Sequence, residues 1–320
     1  MDPMLPNEPV IRVPDLAEAI EYFTSRLGFR LDMIVPADDP VVAILTGQGL
    51  RLRLESPGGA ALGFDRQSEA TPGLIVTRFD PADGWHAGRA GMLYRDLIPD
   101  RLGGKLIASH IRIPEGGPVP DYVHYHKVRF QMIFCRKGWV RVVYEDQGPP
   151  FVLEAGDCVL QPPGIRHRVL ESSAGLEVIE IGSPAVHETW ADHDLQLPTP
   201  EARPGRIFEG QQFVHHRSRE AIRSHWRHPG FEARDTGISE ATGGLADVRI
   251  VSGEKGADAP VLRLAGKLQF LFVLNGEMNL NAREFHRLQA GDSCVIPPNS
   301  DYALQAGTDL ELLEVILPVQ

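Results

Sequence analysis

Cysteine is scarce in this chain of 320 residues: only Cys135, Cys158 and Cys294, with no CxxC pair. So sparse and odd a set excludes a disulfide framework and fits a reducing compartment. Each cysteine sits in an apolar run (IFC, GDCVL, SCVI), so buried, unreactive thiols are expected. Long hydrophobic runs are also missing. The longest are five residues, as in FLFVL at 270–274, far short of the ~20 residues that span a bilayer. Positive charge is in deficit: 32 Lys and Arg stand against 43 Asp and Glu, a net charge of -11. That leaves no broad basic face for nucleic acid. The most basic stretch, HHRSREAIRSHWRH (215–228), is short, contains Glu220 and reads as an amphipathic surface helix. The opening MDPMLPNEPV has neither the basic region nor the apolar core of a signal peptide, so a cytoplasmic protein is expected.

Turn-forming residues, by contrast, are plentiful: 32 Gly and 26 Pro, spread throughout. Short apolar runs of period two lie between them, the pattern of many short strands in a sandwich or barrel. The length suggests two or three domains. Residues 1–58 form a first unit, in which 8–56 read as β-α-β-β-β. Pro14-Asp15 opens its helix, Leu16, Ile20, Phe23 and Leu27 share a face, and Gly28 ends it. Residues 59–88, rich in Gly, Ala, Pro and Asp, read as a linker with one strand at LIVTRF. The remainder is an internal repeat. RDLIPDRLGG (95–104) resembles RDTGISEATGG (234–244). FCRKGWVRV (134–142) resembles VLNGEMNL (273–280). EAGDCVLQPPGIRHRV (154–169) resembles QAGDSCVIPPNSDYAL (289–304). Two all-β units result, 89–195 and 206–320, joined by a connector at 196–205.

The stretch PDYVHYHKVRFQMIF (120–134) sets His124 and His126 one residue apart among apolar neighbours. Residues i and i+2 of a strand face the same way, so the two imidazoles project together into a barrel interior. Neutral imidazoles buried there need partners, and a divalent metal is the natural one. His167, carried by the turn Pro162-Pro163-Gly164, can supply a third nitrogen, leaving open positions for water, substrate or dioxygen.

These two stretches resemble the paired signature motifs of the cupin superfamily. The first motif is a glycine (Gly117), HxH, usually a glutamate, then a glycine (Gly138). The second is a glycine (Gly156), PxG, then a histidine. The resemblance implies a mostly β fold: two cupin (double-stranded β-helix, jelly-roll) barrels preceded by the small βαβββ module. It also implies one divalent metal held by His124, His126 and His167, with Fe(II) foremost and Mn, Ni or Zn as alternatives. The usual glutamate is Gln131 here. Its amide oxygen can ligate the metal, or the side chain can face the pocket and bind substrate or water in a catalytic role, or it can be structural. All-neutral ligands would leave the site at +2 and favour an anionic substrate. Glu171 replaces the asparagine that often ends the second motif. The second unit has lost the site: Leu262 and Leu264 replace HxH, Gln269 matches Gln131, and Tyr302 matches His167. That unit is expected to be structural.

Three-histidine cupin sites resemble those of diketone-cleaving and thiol dioxygenases. The expected function is therefore a mononuclear Fe(II) dioxygenase acting on a small bidentate anion of diketone, enolate or thiol type. Alternatives are a metal-dependent lyase or isomerase, or a non-catalytic sensing protein with a structural metal. Tyr125 and Arg129 are further pocket candidates. Partners are a small-molecule substrate and, as is common among cupins, a second copy in a homodimer; nucleic acid and membrane are not expected.

Residues 8–56 resemble one module of the glyoxalase/bleomycin-resistance (vicinal oxygen chelate) superfamily. Two such modules enclose a metal there; Glu8 and Glu55 fall near its ligand positions. With one module, packing or dimerisation is the expected role. In HETWADH (187–193), Ala191 stands where a zinc protease needs its second histidine. His215 and His216 are expected at the surface. His86, His110, His225, His228 and His286 belong to no constellation.

Overall fold

A computed structural model describes residues 8–57, 73–82 and 84–318. The first strand is Val10–Arg12. Asp15 then caps the helix Leu16–Ser25 by accepting the Glu18 amide at 2.9 Å. Leu16 is buried, and Ile20, Phe23 and Leu27 pack with it against Phe29, Leu45, Leu52 and Leu54. Gly28, at φ +71°, lets the chain leave the helix. Strands Arg30–Val35, Val42–Gly47 and Leu50–Glu55 follow, and the last runs parallel to Val10–Arg12. The order is β-α-β-β-β. In Leu50–Glu55 the alternation of Leu and Arg turns Leu52 and Leu54 into this small core.

The N-terminal sheet continues into the rest of the protein. Met33 and Ile34 pair with Trp190 and Thr189. The strand Thr189–Ala191 pairs in turn with His124–His126. A second contact, through the other face of the module, packs Met33, Val35, Val42 and Ile44 against Val186 and Trp190.

The first barrel has two sheets. One contains Thr189–Ala191, His124–His126, His167–Ser172, Trp139–Tyr144 and Phe151–Glu154, with Gly117–Pro118 beside His167–Ser172. The other orders Val214–His216, Cys158–Leu160, Phe130–Lys137, Leu176–Ser183, Ile107–Ile113, Leu93–Asp96 and His86–Ala87. The second barrel repeats the plan, with Lys267–Asn275, Leu310–Pro318 and Asp247–Gly253 central in one sheet and Asp301–Ala306 between Asp258–Arg263 and Glu277–Asn281 in the other.

The barrels exchange edge strands. Ile75–Thr77, which precedes the first barrel, pairs with Ser293–Val295 of the second. Val214–His216, at the start of the second unit, pairs with Cys158–Leu160 of the first. Between the barrels, Phe130, Met132, Phe134, Ile179 and Ile181 pack against Val248, Ile250, Phe270, Phe272, Leu313 and Val315. As far as Cys135, strand Phe130–Lys137 is thus apolar on both faces: Phe130, Met132 and Phe134 point to the partner barrel, while Ile133 and Cys135 point inward. Gln131 is the polar exception on the inner face.

Residues 215–228, expected as an amphipathic surface helix, are instead strand, short 3-10 turn and strand (Val214–His216, Ser218–Glu220, Arg223–His225). Edge pairing to Cys158–Leu160 and insertion of Trp226 into the second barrel's core override the weak helical pattern. In the stretch expected as a linker, the strand at LIVTRF is present as Ile75–Thr77; residues 59–72 and 83 lie outside the described residues. Among the described residues, no helix is long and apolar enough to cross a membrane.

A shared core and exchanged strands couple the barrels. Calorimetry of the intact protein should show both barrels unfolding in one transition. Phe270→Ala should destabilise that single transition by about 3–5 kcal/mol, not split off one barrel.

Candidate metal centre

His124 and His126 occupy a three-residue strand, both buried, with Tyr125 facing the other way. In the sheet His124 lies directly opposite His167. Ring centroids are 4.2 Å apart for His124 and His167, 5.2 Å for His124 and His126, and 5.3 Å for His126 and His167. One nitrogen from each ring lies within 4.8 Å of the others. Nitrogens bound to a common ion at ~2.1 Å lie roughly 3–4 Å apart, inside that limit. Two local devices fix the register. The Gly164 amide, in the turn Pro162-Pro163-Gly164, donates to the His126 carbonyl at 3.2 Å, with Gly164 at φ +72°. Buried Asp121 accepts the Tyr122 and Val169 amides, both at 2.9 Å, tying the approach to His124 to the strand of His167.

The outer nitrogens are all engaged. Nδ1 of His124 donates to the Tyr122 carbonyl at 2.8 Å, and Nδ1 of His167 to the Ile165 carbonyl at 3.1 Å. A carbonyl only accepts, so Nδ1 carries the proton and the lone pair is on Nε2. His126 Nδ1 meets the Thr189 hydroxyl at 2.9 Å. Such partners fix ring orientation at metal sites. Thr189 lies on the strand that the N-terminal sheet extends, so that module backs the centre.

The histidines line a cavity of about 100 Å³. Its walls are mostly apolar: Met92, Ile111, Val140, Val142, Leu153 and Val178 among them, with Ala37 contributed by the N-terminal module. Its polar residues include Gln131, Gln161, Tyr144 and Glu180. Gln131 donates through Nε2 to Glu180 at 2.5 Å, while its Oε1 is buried and has no hydrogen-bond partner. Tyr144 stacks on His167, with centroids 5.4 Å apart. Burial, with Glu180 nearby, raises the Tyr144 hydroxyl pKa and keeps it protonated.

Glu180 and Tyr144 were not marked by the sequence motifs. For Glu180 a signal existed: in LEVIEIGS it takes the inward position after Leu176 and Val178. Its presence corrects the charge expected from ligands alone, because a carboxyl group shares the cavity. Tyr125 and Arg129 do not line it. Arg166 covers the Tyr125 ring at 4.2 Å.

The second barrel has the same register without the donors. Leu262 faces Tyr302 as His124 faces His167. Leu262 and Tyr302 are buried in a core with Phe231, Met278 and Leu280. Gln269 donates to Glu314, and the Tyr302 hydroxyl donates to Gln269 Oε1. Arg227 holds Glu314 at 2.7 Å.

Glu8 pairs with Arg51 at 2.8 Å and Glu55 with Arg53 at 2.6 Å, on one face of the N-terminal sheet. Among the described residues, the only group of three or more metal-binding side chains is His124, His126 and His167. His215 and His216, expected at the surface, are largely covered because their strand is paired into the first barrel; His215 stacks on Phe151 at 4.3 Å. Burial, then Arg217, lowers His215 to about 4. His110 is fully buried against Glu177 at 2.9 Å, and His187 is buried near His126. Burial lowers both. The three thiols are buried as expected, which pushes Cys135 and Cys294 up to about 12 and raises Cys158 also.

Converging imidazoles with Nδ1 committed elsewhere and an orphaned amide oxygen are a donor set that fits a divalent metal. Residues 109–182 match the cupin domain family. Three solved structures share the two-barrel plan. Salicylate 1,2-dioxygenase from Pseudaminobacter salicylatoxidans is 17% identical, with 78% of this chain and 86% of that chain covered and a TM-score of 0.58. Oxalate decarboxylase from Bacillus subtilis is 14% identical, covers 78% and 77%, and scores 0.57. The Lactobacillus farciminis oxalate decarboxylase formate complex is 17% identical, covers 78% and 88%, and scores 0.56. The chain has the fold of two cupin barrels, and at these identities the likeness establishes the fold. No curated protein matches it by sequence.

Two outcomes are expected. Thr189→Val should weaken divalent-metal affinity about 10–100-fold while leaving the circular dichroism spectrum unchanged. Acid should destabilise the protein. An unfolded histidine binds its proton near pH 6.5, whereas His215 does so only near 4. Between those values the unfolded state holds more protons, so stability falls as the pH is lowered. Urea midpoints measured at pH 7.5 and 5 should fall less for His215→Phe, which keeps the stack on Phe151.

Proposed function

We propose that this bicupin is a mononuclear metal-dependent enzyme, with Fe(II) foremost and oxygenase chemistry on a small bidentate anion of diketone, enolate or thiol type. The observation that carries the reading is the set of three buried imidazoles, oriented through Nδ1, around a small and largely apolar cavity. A bound divalent ion would supply Lewis acidity, and iron would add redox chemistry with dioxygen. Glu180, even when ionised, offsets only one of the ion's two positive charges. The site therefore stays cationic and suits an anion. The aliphatic walls exclude water and accept the apolar part of a substrate. Tyr144, held protonated by burial, can donate a hydrogen bond into the cavity.

A second reading, non-redox chemistry such as decarboxylation, is favoured by Glu180, a carboxyl group within the cavity. Both kinds of activity occur among the structural neighbours: the names of two specify a dioxygenase and an oxalate decarboxylase, and Mn(II) centres are described for the Bacillus subtilis decarboxylase.

Elemental analysis of tag-free protein, wild type beside His167→Ala, tests the metal; oxygen uptake with 1,3-diketones and thiols tests the chemistry. About one equivalent of metal is expected in the wild type and none in the variant, with oxygen consumed by the Fe(II)-loaded protein. Metal retained without oxygen uptake, but with substrate consumed, would favour the non-redox reading. No metal after Fe(II) reconstitution would leave a non-catalytic binding protein.

A further inference from the structure

The two barrels of this chain are internal controls for one another. Each sets a glutamine on the inner face of its central strand and a glutamate on the neighbouring strand. These are Gln131 with Glu180, and Gln269 with Glu314. In both pairs the amide Nε2 donates to the carboxylate. A carboxylate cannot accept from an amide oxygen, so each glutamate forces the glutamine's Oε1 to the opposite side. In the second barrel that oxygen accepts the hydroxyl of Tyr302. Tyr302 occupies the register position of His167, opposite Leu262 where His167 is opposite His124. The first barrel has no hydroxyl there, and Gln131 Oε1 is buried without a hydrogen-bond partner. Leaving an amide oxygen buried and unpaired carries its full desolvation cost. His167 cannot relieve it from Nε2, since its proton is on Nδ1, facing the Ile165 carbonyl. Gln131 and His167 line the same cavity, and neither the amide oxygen nor the Nε2 lone pair carries a proton to share, so a cation would satisfy both.

We infer that Glu180 is a positioning residue that locks the Gln131 amide oxygen toward the three histidines as a fourth, neutral oxygen donor. The inference rests on the proposed metal site and deepens it. Glu180 lies outside the three-histidine group and acts through the amide. The arrangement keeps negative charge one residue removed from the ion: Glu180 fixes the geometry of the donor, and the donor itself remains uncharged. In the second barrel the same pair survives because Tyr302 satisfies the oxygen and Arg227 the carboxylate, although Leu262 and Tyr302 stand where His124 and His167 do.

The test uses the full chain loaded with Co(II), read by its absorption spectrum and by Co(II) affinity, with thermal unfolding as a folding control. Gln131→Ala and Glu180→Ala should each weaken affinity about 10–100-fold and give the same altered spectrum. The double variant should be no weaker than either single one. Glu180→Gln, whose own amide oxygen can accept from Gln131, should recover much of the wild-type spectrum, and it serves as the probe if Glu180→Ala fails to fold. Tyr302→Phe should leave Co(II) binding unchanged. A wild-type spectrum and affinity in Glu180→Ala, beside a changed Gln131→Ala, would overturn the positioning role while leaving the metal site standing. Absence of Co(II) binding by wild-type protein would instead remove the metal reading on which it rests.

Discussion

His124 faces His167 across two antiparallel strands, and the centre depends on that register. A slip of one residue would turn both side chains to the other face of the sheet. Three features hold it. The Gly164 turn hooks onto the His126 carbonyl, Asp121 ties the entry of one strand to the other, and the strand bearing Thr189 flanks His124–His126 on its free edge. The N-terminal sheet extends that last strand. A segment remote in sequence thus supports the hydroxyl that meets His126.

The same economy of strands explains why the second barrel persists without a site. Its sheet covers the outer face of Phe130, Met132 and Phe134, which would otherwise expose a broad apolar surface to water. The inner face of that strand belongs to the cavity and the outer face to the barrel interface. One barrel therefore carries the three histidines, and the other supplies burial. Replacement of histidine by Leu262 and Tyr302 completes a core in the second copy, and the Gln269–Glu314 pair remains as a satisfied relic of the plan.

Much of this was legible in the sequence. The HxH spacing, the Pro-Pro-Gly turn before His167 and the repeat register placed all three histidines and their replacements, because strand periodicity and glycine turns are local. The β-α-β-β-β order was legible for the same reason, through the Asp15 cap and the Leu/Arg alternation. Long-range facts were not. The helix expected over 215–228 fails because its residues answer to strands far away in the chain. Burial of His215 and His110 is likewise decided by distant elements. Glu180 was visible only as a charge at an inward position of a strand, without a motif to give it meaning until Gln131 stands beside it.

X-ray absorption at the metal edge of the reconstituted protein tests the centre most directly. The account requires three imidazole nitrogens at about 2.0–2.2 Å, with oxygen completing the shell. Fewer than three imidazoles, or a shell containing sulfur, would contradict it.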